Sequence, residues 1–161
     1  MVPMSEDKLT GILVENLKKG DLRKISKVRS RQASLYREVG NNSYRADIFI
    51  SLSTEQPSDS MSFNNASTSF IAIEVKIKDW KQGLYQAWRY NSFAERSYLA
   101  LYEPYAKNID IEMFKKYNVG LIVFNETEVF VKNRPVRQTF KVVDEYSMDL
   151  RKKIWHSLST S

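Results

Sequence analysis

The first apolar pattern in the chain has helical spacing. It lies between Ser5, a residue type that often caps helices, and Gly20, a common helix stop. The apolar members of the pattern are Leu9, Ile12, Leu13 and Leu17. We therefore predict a first helix over residues 5–19.

Strand-like alternation follows. Residues 34–39 and 44–52 read as strands, and the Gly-Asn-Asn-Ser stretch between them tolerates the positive φ of a tight turn, which predicts a hairpin. Residues 70–77 alternate strictly. One face of this strand would carry Ile71, Ile73, Val75 and Ile77, and the other Phe70, Ala72, Glu74 and Lys76. The strand therefore has an aliphatic face and a face that presents two charges.

A second helical pattern begins directly after this strand. Asp79 can cap a helix to about residue 95, with a buried stripe of Trp80, Leu84, Ala87 and Trp88. The remaining elements are predicted as a strand over 98–102, a helix over 110–117, strands over 120–124 and 129–132, and a helix over 147–157. Strands of mixed direction covered by helices predict an α/β fold with a mixed central sheet flanked by helices.

The 161 residues correspond to one domain of ordinary size, so we expect a single domain over 1–161. Its composition changes at about residues 53–69, which are rich in Ser, Thr and Asn. So polar a stretch packs poorly, and we predict a mobile polar insertion between two strands.

Composition limits the chemistry. The chain has no cysteine and a single histidine, His156, which excludes disulfides, thiolate zinc sites and histidine-rich metal centres. Any metal would have to be held by oxygen. The N-terminus lacks the apolar segment of a signal peptide, and no stretch approaches the roughly 18 apolar residues of a membrane span, so we expect a cytoplasmic protein.

The charge balance favours a polyanionic partner. The formal net charge is +6 and the isoelectric point is about 9.4. Basic residues concentrate after the first helix, at Lys18, Lys19, Arg23, Lys24, Lys27, Arg29 and Arg31. Such a segment either lines a nucleic-acid backbone or is a solvated face.

Glu74 and Lys76 are two positions apart on a strand, so both side chains leave the same face. Asp47 lies on the preceding strand, and its carboxylate approaches Glu74 if the two strands pair. Two neighbouring carboxylates favour a divalent cation, and Mg²⁺ or Mn²⁺ suits oxygen ligands with room for water and phosphate. Lys76 could orient or help to deprotonate an attacking water.

This arrangement resembles the PD-(D/E)xK, or restriction-endonuclease-like, superfamily. Its core runs from a helix through a hairpin that bears the Asp to a strand with Glu-x-Lys, and then to a helix and another strand. Gln86 and Tyr90 match the Gln-x-x-x-Tyr element of the RecB-like branch. Ala46 stands where the family name has a proline. The resemblance covers about the first two-thirds of the chain.

The resemblance implies a role for each matching residue. Asp47, Glu74 and the Val75 carbonyl would ligate the metal, Lys76 would act on the water, and Gln86 would support them. Tyr90 would order the site or contact nucleic acid, its structural alternative being a core aromatic. Some branches of the family have a further ligand on the first helix, and the available match is Glu15, which could equally face solvent.

Nucleic-acid contacts are predicted for Arg89 on the second helix and for the basic segment, represented by Lys24, Lys27, Arg29 and Arg31. For Arg89 the alternative is a solvated helix position. The leading hypothesis is a magnesium-dependent endonuclease that acts on DNA, with single-stranded, duplex, branched and RNA substrates all compatible with the site. The alternative is an inactive nuclease-fold module that binds nucleic acid or supports assembly. A homodimer through Phe130 and Trp155 is a further expectation.

Overall fold

The structure, a computed structural model, describes residues 4–26, 32–40, 44–53 and 62–160. These residues form a six-stranded mixed sheet flanked by helices, so the predicted α/β class is confirmed. The strands are β1 (Gln32–Val39), β2 (Ala46–Ser53), β3 (Thr68–Lys76), β4 (Arg96–Tyr102), β5 (Gly120–Phe124) and β6 (Val129–Asn133). The helices are α1 (Glu6–Asn16), α2 (Leu22–Ile25), α3 (Trp80–Arg89), α4 (Ile111–Tyr117) and α5 (Glu145–Ser157). Within the described ranges no helix is long and apolar enough to cross a membrane.

The strands lie across the sheet in chain order. β1, β2 and β3 pair antiparallel, which confirms the predicted hairpin, whereas β3, β4 and β5 pair parallel and β6 returns antiparallel. The parallel connections run through α3 and α4, because parallel neighbours need a crossover. The strands that carry the predicted site residues, β2 with Asp47 and β3 with Glu74 and Lys76, are therefore direct neighbours in the sheet.

Helix α1 covers the aliphatic face of β2 and β3. Ser5 caps it by accepting a hydrogen bond from the Lys8 amide at 3.1 Å. Its buried residues Leu9 and Leu13 pack in one cluster with the alternate residues of both strands, among them Ile73. The helix continues into a π-type turn, Leu17–Asp21, where Gly20 has a φ of 135° that side-chain-bearing residues rarely adopt.

The opposite face is covered by α5 and by the segment after α3. Phe49 and Phe70 of the sheet pack there against Trp155. Trp155 is 1% exposed, so the expectation that it supplies an exposed dimer interface is wrong; its ring fills the core instead. Phe130, the other aromatic of that expectation, is half-buried.

Helix α3 is shorter than predicted, since it ends at Arg89 and a 3-10 turn, Tyr90–Ser92, follows. Leu84 and Ala87 are buried as expected, but Trp88 is 44% exposed, and its assignment to the buried stripe is wrong. Successive helical residues are about 100° apart, so when Ala87 faces the core, Trp88 is rotated about 100° away from the buried face.

The predicted insertion at 53–69 is narrower in the structure, because β2 extends to Ser53 and β3 begins at Thr68. Residues 54–61 lie outside the described residues. In the described part, the Phe63 ring lies 5.9 Å from that of Trp155, and Asn65 donates to the Phe140 carbonyl at 2.8 Å. Residues 62–67 are therefore held against the C-terminal part of the chain.

Candidate active site

Two carboxylates meet where β2 and β3 separate. The register pairs Ile48 with Ile73, and one further step along it sets Asp47 opposite Glu74. Directly opposite residues of an antiparallel pair project from the same face, with Cβ atoms about 5 Å apart. The Val75 amide donates to Asp47 Oδ2 at 2.8 Å. At the end of the β2–β3 pairing, the Val75 amide thus bonds to the Asp47 side chain instead of a main-chain carbonyl. This hydrogen bond fixes the position of the Asp47 carboxylate.

Glu74 is held from the side of α3. Tyr90 lies at the end of that helix, and its hydroxyl donates a hydrogen bond to Glu74 Oε2. The same hydroxyl lies 2.8 Å from the Arg45 carbonyl, just before β2. Tyr90 is 4% exposed. Its ring therefore belongs to the core, as the structural alternative predicted, while its hydroxyl contacts Glu74.

Lys76 leaves the same face as Glu74, and its ammonium lies 4.0 Å from a carboxylate oxygen of Glu6 in the first turn of α1. Sequence reasoning missed Glu6. An acidic residue directly after a helix cap is also what capping and the helix dipole favour, so its type carried no signal of a site. The signal that could have found it is the fold, which brings the N-terminus of α1 to the end of β3.

The structure does not bring Glu15 to this site. Glu15 is exposed and follows Glu6 by nine positions on α1. Nine helical steps correspond to about half a turn of rotation and about 13 Å along the axis. The acidic residue of α1 that interacts with Asp47 and Glu74 is Glu6.

The electrostatics of the pair are unfavourable for two negative charges. Burial and, after it, the charge of Asp47 raise the pKa of Glu74 to about 7, against the Tyr90 hydrogen bond and Lys76, which lower it. Burial also raises the pKa of Asp47, against the Val75 amide hydrogen bond, which lowers it. The pKa of the Tyr90 hydroxyl is raised by burial and by Glu74, so this group remains a donor.

The donor set fits a hard cation held by few protein oxygens. Asp47 and Glu74 supply carboxylates, and the Val75 carbonyl points toward β2 like its amide, because both groups of one residue face the same neighbouring strand. Among the described residues, no group of three or more His, Cys, Asp or Glu could hold a metal ion. Mg²⁺ commonly keeps several waters and takes one or two carboxylates, so Asp47, Glu74 and the Val75 carbonyl would be sufficient protein ligands for it.

Gln86 lies one helical turn before Tyr90 on α3, and so on the same side of the helix. Its side chain is half-buried, and its Oε1 atom is buried without a hydrogen-bond partner among the described residues. Buried polar atoms are rarely left unpaired. Gln86 therefore has unused hydrogen-bonding capacity on the side of α3 that carries Tyr90.

The predicted nucleic-acid contacts are dispersed. Arg89 stacks on the Tyr44 ring, with its guanidinium carbon 5.1 Å from the ring centroid. Lys24 donates to the Val129 carbonyl at 2.8 Å and pairs with Asp21 at 3.3 Å, so it lies at β6 rather than beside the carboxylates. Lys27, Arg29 and Arg31 lie outside the described residues.

Comparisons with known proteins give the fold alone. No protein-family model matches the chain, and no curated protein matches it. A solved protein of unknown function from Silicibacter pomeroyi matches with a TM-score of 0.57 and 11% sequence identity, over 99% of this chain and 90% of that one.

Proposed function

We propose that this protein is a metal-dependent nuclease with a restriction-endonuclease-like core, which hydrolyses phosphodiester bonds in DNA with Mg²⁺ or Mn²⁺. The observation that carries the proposal is the pair of half-buried Asp47 and buried Glu74, opposed across two strands, with Lys76 on the same face. Neighbouring carboxylates that are buried or half-buried, with so little positive charge beside them, gain most from a cation. The order of helix, hairpin, Glu-x-Lys strand and helix supports the same family.

The chain's own residues would divide the work. Asp47, Glu74 and the Val75 carbonyl would hold the cation, which when bound supplies positive charge that acidifies water and offsets charge developing on the phosphate. The Val75 amide and the Tyr90 hydroxyl keep the two carboxylates in position. Lys76 would orient the attacking water along the line of the scissile bond.

Gln86 would add a further hydrogen-bonding side chain to the site. Its Oε1, which has no partner among the described residues, could accept a hydrogen bond from a water molecule at the site. After rotation of the amide, its nitrogen could instead donate to a phosphate oxygen. The Glu6 carboxylate, 4.0 Å from the Lys76 ammonium, would limit where that ammonium can lie. This role makes Glu6 a positioning residue.

The test is cleavage of labelled single-stranded, duplex and branched DNA with Mg²⁺, with Mn²⁺ and with a chelator. We expect cleavage with metal only, and a loss of about 1,000-fold in Asp47→Asn and Glu74→Gln. Asp149→Asn is the matched control, because that carboxylate is exposed on α5 and pairs with Lys153. Intact DNA under all conditions, over a wide range of enzyme concentrations, would contradict the proposal.

The second candidate is a module that binds nucleic acid or supports assembly without turnover. The observation in its favour is that the Lys76 ammonium has the Glu6 carboxylate 4.0 Å away, a partner that would compete with an attacking water for it. It predicts DNA binding that falls steeply with salt and is unchanged in Glu74→Gln, with no cleavage. Cleavage that is lost in Glu74→Gln while binding persists would reject this candidate.

A further inference from the structure

Three exposed aromatic side chains form a continuous row across α3 and α4. Tyr85 is 58% exposed, Trp88 44% and Tyr117 39%. The ring centroids of Tyr85 and Trp88 are 5.8 Å apart, and those of Trp88 and Tyr117 are 6.4 Å apart. We call these three residues the aromatic row. Large rings exposed together in this way mark a binding surface more often than rings exposed singly.

Two depressions flank the central ring pair. One, of about 360 Å³, is lined by Leu84 and Met113 in addition to the row. The other, of about 350 Å³, lies on the side of Tyr44 and Arg89. Tyr85 and Trp88 line both depressions, so each opens beside the same pair of rings. This surface can take two flat groups in succession.

Cations border the row. Lys81 and Lys116 are exposed, and the Lys116 ammonium lies 5.5 Å from the Tyr117 ring centroid. Arg89, stacked on Tyr44, stands at the second depression. In the described part of the chain, neither lysine has a carboxylate ion-pair partner. Protein interfaces are depleted in lysine, whereas surfaces that bind single-stranded nucleic acid combine stacking rings with cations.

We propose that the aromatic row binds single-stranded nucleic acid, with unpaired bases seated on either side of the Tyr85 and Trp88 rings. Lys81, Arg89 and Lys116 hold the adjoining phosphates. The inference rests on the proposed nuclease function and deepens it, because it assigns the substrate an unpaired segment.

The position of the row suits this substrate. Helix α3 separates it from the carboxylates: Gln86 and Tyr90 are on the side of the site, and Trp88 lies on the other side of the helix. A helix with its side chains is about 10 Å across. A strand that crosses α3 over Arg89 would therefore meet both surfaces.

The test measures binding without turnover. A fluorescent oligothymidine of about 12 nucleotides is titrated in chelator, against a sugar-phosphate oligomer of equal length that lacks bases. We expect Trp88→Ala to weaken binding of the oligothymidine by roughly 5- to 150-fold, the affinity of one stacked base, and Trp88→Phe to retain most of it. The base-free oligomer should bind weakly to all variants.

Tyr105→Ala is the control for loss of an exposed ring, because Tyr105 is 46% exposed and packs beside Tyr102 instead of the row. Equal affinity for the two oligomers, or unchanged affinity in Trp88→Ala, would overturn the inference. So would a dimer that Trp88→Ala converts to a monomer, since the row would then be an interface between copies. Binding in chelator without cleavage in metal would reject the nuclease and keep the row.

Discussion

Two buried carboxylates in this molecule, Glu95 and Glu74, differ in how the surrounding fold compensates their charge. Glu95 is 3% exposed and receives two hydrogen bonds from the Arg151 guanidinium, at 2.6 and 2.9 Å, and one from the Phe70 amide at 2.8 Å. Glu74 is 7% exposed and has a second carboxylate as its neighbour, with a tyrosine hydroxyl as its direct donor. The first charge is compensated within the fold. The charge of Glu74 is compensated poorly within the fold, and a bound cation would compensate it.

The Arg151 guanidinium binds several partners besides Glu95. It donates to the Phe93 and Thr68 carbonyls, and its Nε atom donates to Asn65. One side chain of α5 thereby fixes the start of β3, the segment before β4 and residues near the C-terminal end of the predicted insertion. The Glu95 and Arg151 pair belongs to the architecture, whereas the Asp47 and Glu74 pair belongs to the proposed chemistry.

The largest expected effect is on the compensated pair. Arg151→Met leaves Glu95 buried without its cation and should lower the free energy of unfolding by about 3–5 kcal/mol. Chemical denaturation at pH 8 measures it. Adding Glu95→Gln to Arg151→Met should recover part of this loss, since the uncompensated charge is then removed. A double variant no more stable than Arg151→Met would show that the interactions of Arg151 with its other partners dominate.

The matched change at the site should have the opposite sign. Glu74→Gln removes a charge that the metal-free fold disfavours while keeping an acceptor for Tyr90, so the free energy of unfolding at pH 8 should rise. The gain is at most about 3 kcal/mol. A loss of stability would mean that the Glu74 charge is well compensated, and the contrast with Glu95 would fail.

The pH dependence sharpens the same contrast. The pKa of Glu74 is raised from 4.5 to about 7 in the folded protein, so the folded state binds more protons than the unfolded state between these values. The stability of the metal-free protein should therefore fall as pH rises from about 4.5 to about 7, by up to about 3 kcal/mol from this group. The difference between wild type and Glu74→Gln isolates it. A constant difference across this window would contradict the raised pKa.

A divalent cation should offset part of this penalty. At pH 8, Mg²⁺ at about ten times its dissociation constant should stabilise the folded protein by roughly 1.4 kcal/mol, because only the folded state assembles the site. Thermal unfolding with and without Mg²⁺ measures the shift. Asp47→Asn should abolish it, and Glu95→Gln, destabilised but with the site intact, should retain it. An equal shift in Asp47→Asn would show that Mg²⁺ binds at a site other than Asp47.

The sequence could predict the site residues that local strand patterns place, but not those that tertiary packing places. The alternation of β3 sufficed to set Glu74 and Lys76 on one face, because strand periodicity is a local property. Asp47 lies beside Glu74 because β2 pairs with β3, which the sequence alone left as a condition. Glu6 was missed because its approach depends on how α1 packs on the sheet. Arg151 was missed for a related reason: a basic residue in a polar helix reads as solvated until Glu95 is brought to it.

The smallest effect concerns the hydroxyl that links α3 to the site. Tyr90→Phe removes the hydrogen bond that lowers the pKa of Glu74, so this pKa should rise further and the acid limb of the pH–rate profile for cleavage should move to higher pH. The loss of stability should be about 1 kcal/mol. Tyr98→Phe is the control, because it removes a buried hydroxyl that donates to the Ile25 carbonyl on the α1 face of the sheet. If both variants leave the acid limb where it was, Tyr90 contributes only its ring, and the carboxylate at Glu74 is oriented by the strand alone.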